Sequence, residues 1–112
     1  MTVTASNIIP SKEVEPTTAA EQYAAINCTT IIDKMTVVNV TASAVSFTAY
    51  IVPSAGTAGA DNIVISAKSI APGETYQCPE LVGQIMAPNS KIFAFASAAS
   101  SLIIRGSGRE IT

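Results

Sequence analysis

The residues of this chain that could carry out catalysis are few and scattered. The sequence has no histidine, which removes the Ser-His-Asp and Cys-His arrangements, because both need an imidazole to accept the proton of the nucleophile. The eight acidic residues lie mostly near the N-terminus and in predicted turns, whereas glycoside hydrolysis needs two carboxylates that face one cleft. We therefore predict that the chain is not an enzyme and has no catalytic residues.

Metal and cofactor sites have little support either. Cys28 and Cys78 stand alone, without a CxxC pair or a histidine to complete a zinc site. Asp61-Asn62 beside a glycine-containing loop could offer oxygens to calcium, but a single acidic residue makes a weak cation site. The same loop lacks the Lys-Ser or Lys-Thr and the helix of a phosphate-binding loop. We expect no metal and no cofactor.

The composition indicates one small domain whose surface tends to associate. The chain has 112 residues, of which 48% are apolar and only 12% charged, about half the usual charged share of roughly 25%. A surface with few charges repels its neighbours weakly. The six basic residues are scattered, so they form no continuous basic stripe that could contact successive phosphates. Nucleic acid is therefore not an expected partner.

No feature of the N-terminus indicates export. The first residues lack the basic and apolar regions of a signal peptide, and no apolar run approaches the roughly 20 residues that span a bilayer. We therefore expect no membrane partner and a reducing compartment. Free thiols are then favoured over a disulfide for Cys28 and Cys78.

The strongest structural signal lies between Lys34 and Ile65. Within it, residues 44–52 alternate, with Phe47 and Ala49 on one face and Thr48 and its polar neighbours on the other. This period of two predicts a strand with one buried face. Residues 91–97 are apolar on both faces, which predicts a central strand that is covered on both sides.

The whole pattern predicts an all-β, antiparallel two-sheet sandwich or jelly-roll-like fold of about seven or eight short strands. Residues 21–112 form this β-sandwich domain, and residues 1–20 form an extended N-terminal arm. The arm either packs along its own domain as an edge strand or reaches a neighbouring subunit, and the sequence leaves both alternatives open. Ala71-Pro72-Gly73-Glu74 has the residues of a type II turn. Gly106-Ser107-Gly108 predicts a bulge or turn before a short final strand.

Four stretches of the sequence form a recognisable series. They are a run from Ile32 to Pro53 with Asn39 at a strand end, the turn Ile70-Ala71-Pro72-Gly73-Glu74-Thr75, the strand Ile92–Ser97, and the terminal Ser107-Gly108-x-Glu110. Over about residues 22–112 this series resembles small β-sandwich virion proteins of tailed bacteriophages.

The resemblance implies a structural role without chemistry. Such proteins serve as capsid decoration or cement subunits that stabilise the assembled head by binding the major capsid protein and copies of themselves. The alternatives are a neck, tail or fibre-attachment protein and, from a different class, a host receptor or carbohydrate-binding module. A homo-oligomer is expected, with a trimer at a local threefold axis as the natural geometry, located in the virion after assembly in the host cytoplasm.

Two segments are predicted to contact the capsid or neighbouring subunits. One is the apolar part of the arm, and the other is the exposed loop after the Lys34–Val52 strands. The residues concerned are Ile8, Ile9 and Pro10 in the arm and Ser54, Gly56, Thr57 and Gly59 in the loop.

Overall fold

The computed structural model describes all residues from Met1 to Thr112 and contains nine β-strands and no helix. The strands are β1 (Val3–Glu13), β2 (Ala20–Ala24), β3 (Thr29–Asn39), β4 (Val45–Val52), β5 (Ile63–Ile70), β6 (Thr75–Tyr76), β7 (Ile85–Met86), β8 (Lys91–Ala96) and β9 (Leu102–Ile111). Strands hold 57% of the chain, which confirms the predicted all-β class. A helix long and apolar enough to cross a membrane is not found.

Two antiparallel sheets make up the sandwich. Sheet A has the order β1-β9-β3-β6, and β7 also pairs with β3. Sheet B has the order β2-β8-β4-β5. The chain passes from one sheet to the other at most of its connections, so most neighbouring strands in a sheet are not consecutive in sequence; β4 and β5 are the exception. The arrangement confirms the predicted two-sheet sandwich.

The N-terminal segment lies in sheet A as an edge strand. β1 pairs antiparallel with β9 along its length, and Ile8 and Ile9 are buried. Beyond β1, the Val14 amide donates to the Leu102 carbonyl at 2.9 Å. Residues 3–13, which we expected in an extended arm, therefore pack along their own domain in this structure. A contact of this segment with a neighbouring subunit stays a prediction.

The core lies between the two sheets and contains a cluster of 21 buried residues. Phe47 and Ile92 from sheet B and Ile32, Met35 and Ile104 from sheet A are fully buried. Burying a side chain of this size stabilises a fold by about 1.5–3 kcal/mol.

In β4, Phe47 and Ala49 are buried as predicted, but Thr48, which we expected on the polar face, is buried as well. Its hydroxyl accepts a hydrogen bond from the Ala67 amide at 3.1 Å.

The prediction that β8 is covered on both sides is wrong for one face. Ile92, Ala94 and Ala96 are fully buried, whereas Phe93 and Phe95 are only partly buried. The physical reason is the number of layers: a sandwich of two sheets covers one face of each, and the chain supplies no third layer for the other.

Two parts of the recognised series meet at one end of the sandwich. The buried Asn39 side chain donates to the carbonyls of Ser43 at 2.8 Å and Ile70 at 2.9 Å. Its backbone amide donates to the Glu74 carbonyl, and its carbonyl accepts from the Gly73 amide, both at 3.0 Å. Gly73 has a φ of +73°, as the predicted type II turn requires. Asn39 thus joins the β3–β4 connection to the turn before β6.

The bulge predicted at residues 106–108 lies elsewhere. β9 continues without interruption from Leu102 to Ile111. The register shifts occur in its two neighbours. They lie between Ser6 and Ile9 and between Ile9 and Lys12 of β1, and between Ile32 and Lys34 of β3. The glycine-rich part of β9 is therefore flanked by irregular strands on both sides.

Candidate interaction surfaces

Among the side chains that could ligate a metal, Cys28 and Glu110 lie close together, with Sγ 3.9 Å from Oε2. No cluster of three or more His, Cys, Asp or Glu side chains could hold a metal ion. Cys28 and Cys78 are both buried and free. Burial raises the pKa of the Cys78 thiol to about 12, so this sulfur stays protonated at neutral pH.

One compact polar cluster joins the two sheets. The Tyr23 hydroxyl on β2 donates to Glu110 Oε2 on β9 at 2.5 Å, and it lies 2.7 Å from Thr30 Oγ1 on β3. Burial, and then the hydrogen bond to Glu110, raise the pKa of Tyr23, so the phenol remains a hydrogen-bond donor. The cluster connects the sheets at one end of the sandwich, which is a structural role.

The most distinctive surface is the outer face of sheet B, where three half-buried aromatic rings lie side by side. Tyr50 of β4 is the direct partner of Phe93 of β8. The Tyr50 ring is stacked on Phe95 with centroids 6.5 Å apart and an interplanar angle of 28°. Ile63 of β5 pairs with Tyr50 from the other side and is 37% exposed. We call Tyr50, Ile63, Phe93 and Phe95 the aromatic face.

The chemistry of the aromatic face suits contact with another protein. Apolar surface removed from water is worth roughly 25 cal/mol per Å², so leaving rings partly exposed forgoes stability that burial would supply. Contiguous exposed apolar patches commonly mark interaction sites, and aromatic residues are enriched in the cores of interfaces. The arrangement can therefore bind an apolar surface through packing.

The predicted contact loop adjoins the aromatic face. It connects β4 to β5 just beyond the Tyr50–Ile63 pair. Asn62 holds the loop together, since its Nδ2 donates to the Thr57 carbonyl at 2.8 Å and its Oδ1 accepts from the Gly59 amide at 3.1 Å. The Asn62 oxygen, which together with Asp61 we considered as a calcium ligand, is thus engaged in a hydrogen bond within the loop.

The residues predicted as contacts differ in accessibility. Ser54, Gly56 and Thr57 are exposed and Gly59 is partly exposed. In β1, Pro10 is exposed, whereas Ile8 and Ile9 are only 6% and 0% exposed. Those two isoleucines contact the core of their own domain, so a role at an interface would require β1 to separate from β9.

The outer face of sheet A is polar in its centre. Its one bidentate ion pair joins Asp33 of β3 to Arg109 of β9. Arg109 Nε donates to Asp33 Oδ2 at 3.0 Å, and Nη2 donates to Oδ1 at 2.9 Å. Arg105 Nη1 donates to Ser11 Oγ at 3.2 Å. Aliphatic side chains on this face, such as Ile103, lie nearer the strand ends.

Sequence reasoning did not identify the aromatic face. Tyr50 and Phe93 are 43 positions apart, and only the β4–β8 register brings them together. The available signal was the apolar character of both faces of β8, which in a fold of two layers predicts one uncovered apolar face. We instead predicted that other parts of the chain cover both faces of β8.

Comparison with family models, curated proteins and solved structures finds no match for this chain.

Proposed function

We propose that this chain is a non-enzymatic structural protein of a tailed bacteriophage virion, and that it decorates and cements the assembled head. The observation that carries the proposal is the aromatic face, three partly exposed rings on one side of a two-layer sandwich. An apolar face of this kind gains stability when another protein covers it. The sequence resemblance to virion proteins supports the same role.

The mechanism is thermodynamic linkage. A protein that binds the assembled shell but not its separate subunits stabilises the shell by mass action, by about 2.7 kcal/mol when its free concentration is one hundred times the dissociation constant. The major capsid protein is the proposed partner of the aromatic face. Copies of this chain around a local threefold axis would multiply the contacts.

The architecture supports this role in two further ways. Only 12% of the residues are charged, so close approach of many copies meets little electrostatic repulsion. The loop beside the aromatic face is held by the Asn62 hydrogen bonds, which lowers the entropy lost when that surface binds.

The test is addition of the purified protein to expanded shells that lack it. We expect stoichiometric, saturable binding and a higher temperature of shell disruption. The double variant Phe93→Ser/Phe95→Ser should weaken binding by at least about tenfold, because buried aromatic residues dominate interface energies. The matched control is Ile103→Ser, which removes a half-buried apolar side chain from the outer face of sheet A and should leave shell binding unchanged.

Other outcomes would separate the alternatives. Equal loss of binding in the control variant would contradict the role of the aromatic face. Protein that ignores shells but binds purified tails or necks would replace the cement function with the tail or neck function. A copy number on the order of hundreds per virion supports a shell protein, whereas one or two rings indicate a neck or tail component. Binding to a glycan array would instead favour the carbohydrate-binding module.

A further inference from the structure

We propose that a depression on the outer face of sheet A binds a carboxylate group from an acidic segment of another protein, with Arg105 as its cationic anchor. The depression is shallow, has a volume of about 460 Å³ and has one hydrophobic residue in its lining. It lies on the opposite side of the sandwich from the aromatic face. The inference does not depend on the proposed virion function.

The backbone builds this depression with two facing bulges. β1 is irregular between Ser6 and Ile9, and β3 is irregular between Ile32 and Lys34, on the two sides of the same part of β9. Bulges redirect side chains and commonly occur beside functional sites. In β1 the bulge turns the consecutive residues Ile8 and Ile9 into the core. Its neighbours Ser6 and Asn7 line the depression.

The lining is rich in hydrogen-bond donors that the chain does not use. The side-chain hydrogen bonds around the depression are those from Arg105 to Ser11 and from Arg109 to Asp33. The side chains of Ser6, Asn7 and Ser107 have no partner within the chain. Arg105 commits one of its five N–H donors, so the others are available for a bidentate contact with a carboxylate.

The charges at the site match a single negative charge. Asp33 also lines the depression, but Arg109 binds both of its oxygens and neutralises it. Arg105 is then the one cation in the lining without an acidic partner. One guanidinium matches the single charge of a carboxylate, whereas a dianionic phosphate would keep a second charge without a cationic partner.

The shape of the site favours a side chain of a macromolecule over a free small molecule. Small-molecule pockets enclose most of their ligand, and this depression is shallow. It borders β1, the edge strand of sheet A, so an extended segment of a partner can lie beside it. We therefore assign the site to a glutamate or aspartate in an exposed acidic segment.

The test is an NMR titration of the ¹⁵N-labelled protein with a capped hexaglutamate peptide at low ionic strength. We expect saturable shifts at the backbone amides of Ser6, Asn7 and Ser107 and at the Arg105 side chain. Capped hexaglutamine should give none. Shifts spread evenly around the other basic residues, or tighter binding of inorganic phosphate than of hexaglutamate, would overturn the assignment.

Three variants sharpen the test. Arg105→Gln should weaken hexaglutamate binding by at least about tenfold, the usual loss for a charged hydrogen bond. Lys68→Gln removes one positive charge from β5, which is in the other sheet and outside the lining, and should change affinity by less than about twofold. The proposal fails if both variants lose the same affinity. All three side chains are exposed, and a thermal melt confirms that each variant is folded.

The third variant, Asp33→Asn, should raise the affinity for hexaglutamate. It removes the charge that Arg109 neutralises, so the site gains a second cation for the carboxylate. We expect an increase of at least about threefold. An unchanged or lower affinity would contradict a carboxylate bound at this position.

Discussion

The outer face of sheet B presents Phe93 and Phe95, whereas the centre of the outer face of sheet A presents Asp33, Arg105 and Ser107. The inner faces of the same sheets differ far less, since both contribute aliphatic side chains to one core. The contrast is therefore confined to the outer face of each sheet, which no other layer of the fold covers.

This difference separates the demands of folding from those of binding. Burial in the core requires every second residue of a central strand to be apolar. The residues between them are free of that requirement, so aromatic rings at outward positions of β4 and β8 cost solubility without filling the core. The two proposals assign these outward residues to two different kinds of partner surface.

The largest expected effect comes from Gly108, at the polar face of sheet A. An ideal Cβ at this position would lie 2.4 Å from the Ile31 carbonyl oxygen, which only movement of the backbone can relieve. We expect Gly108→Ala to lower the free energy of unfolding by about 2–4 kcal/mol, measured by urea denaturation. Its neighbour Ser107 points outward, and Ser107→Ala should change stability by less than about 0.5 kcal/mol. Similar stabilities for the two variants would disprove the close approach.

An intermediate effect should distinguish an inward from an outward tyrosine. Tyr23→Phe leaves Glu110 without its hydroxyl donor and should cost about 1.5–3 kcal/mol, the usual value for a hydrogen bond to a charged group. The Tyr50 hydroxyl has no hydrogen-bond partner in the chain, so Tyr50→Phe should be neutral within about 0.5 kcal/mol. Chemical denaturation of both variants checks the difference, and equal losses would contradict the bridge between the sheets.

The free energy of unfolding should also depend on pH through the Tyr23 hydroxyl. Because the pKa of Tyr23 is raised in the folded state, the folded chain holds this proton at pH values where the unfolded chain releases it. The free energy of unfolding should therefore fall as the pH rises above about 10. The fall should be shallower in Tyr23→Phe. It should not vanish, because the pKa values of Tyr76 and Cys78 are raised as well.

The smallest effects test the two outer faces directly. Phe95→Leu keeps most of the apolar area but removes the stacking on Tyr50, and it should cost about 0.5–1.5 kcal/mol. Arg109→Gln breaks a solvent-exposed ion pair, and such pairs contribute little to stability. Thermal melts should show a lower midpoint for the Phe95 variant and almost no change in midpoint for the Arg109 variant. The reverse order would mean that sheet A, not sheet B, has the outer face that stabilises the fold.

Much of the local structure could be predicted from the sequence. The type II turn at Gly73 and the position of Asn39 at the end of β3 both follow from local patterns and turn chemistry. The two bulges could not be located, because a bulge is a mismatch between two paired strands and no single strand records it.

The candidate surfaces were less predictable than the fold. The loop at residues 53–61 was predicted from composition, but its position beside the aromatic face depends on the pairing of Tyr50 with Ile63. The lining of the carboxylate site combines residues from both ends of the chain. Spacing along the sequence therefore carries no signal for it.

The sequence by itself determined that this chain forms strands, where most of them turn, and that a two-layer sandwich buries their apolar sides. These properties follow from the local period of side chains and from backbone preferences. Only the tertiary structure decided that β1 forms the edge of sheet A beside β9 and that three rings share one outer face. It also decided that Arg105 lies among hydrogen-bond donors without partners in the chain. Each of those depends on strand order and register, which the whole chain sets at once.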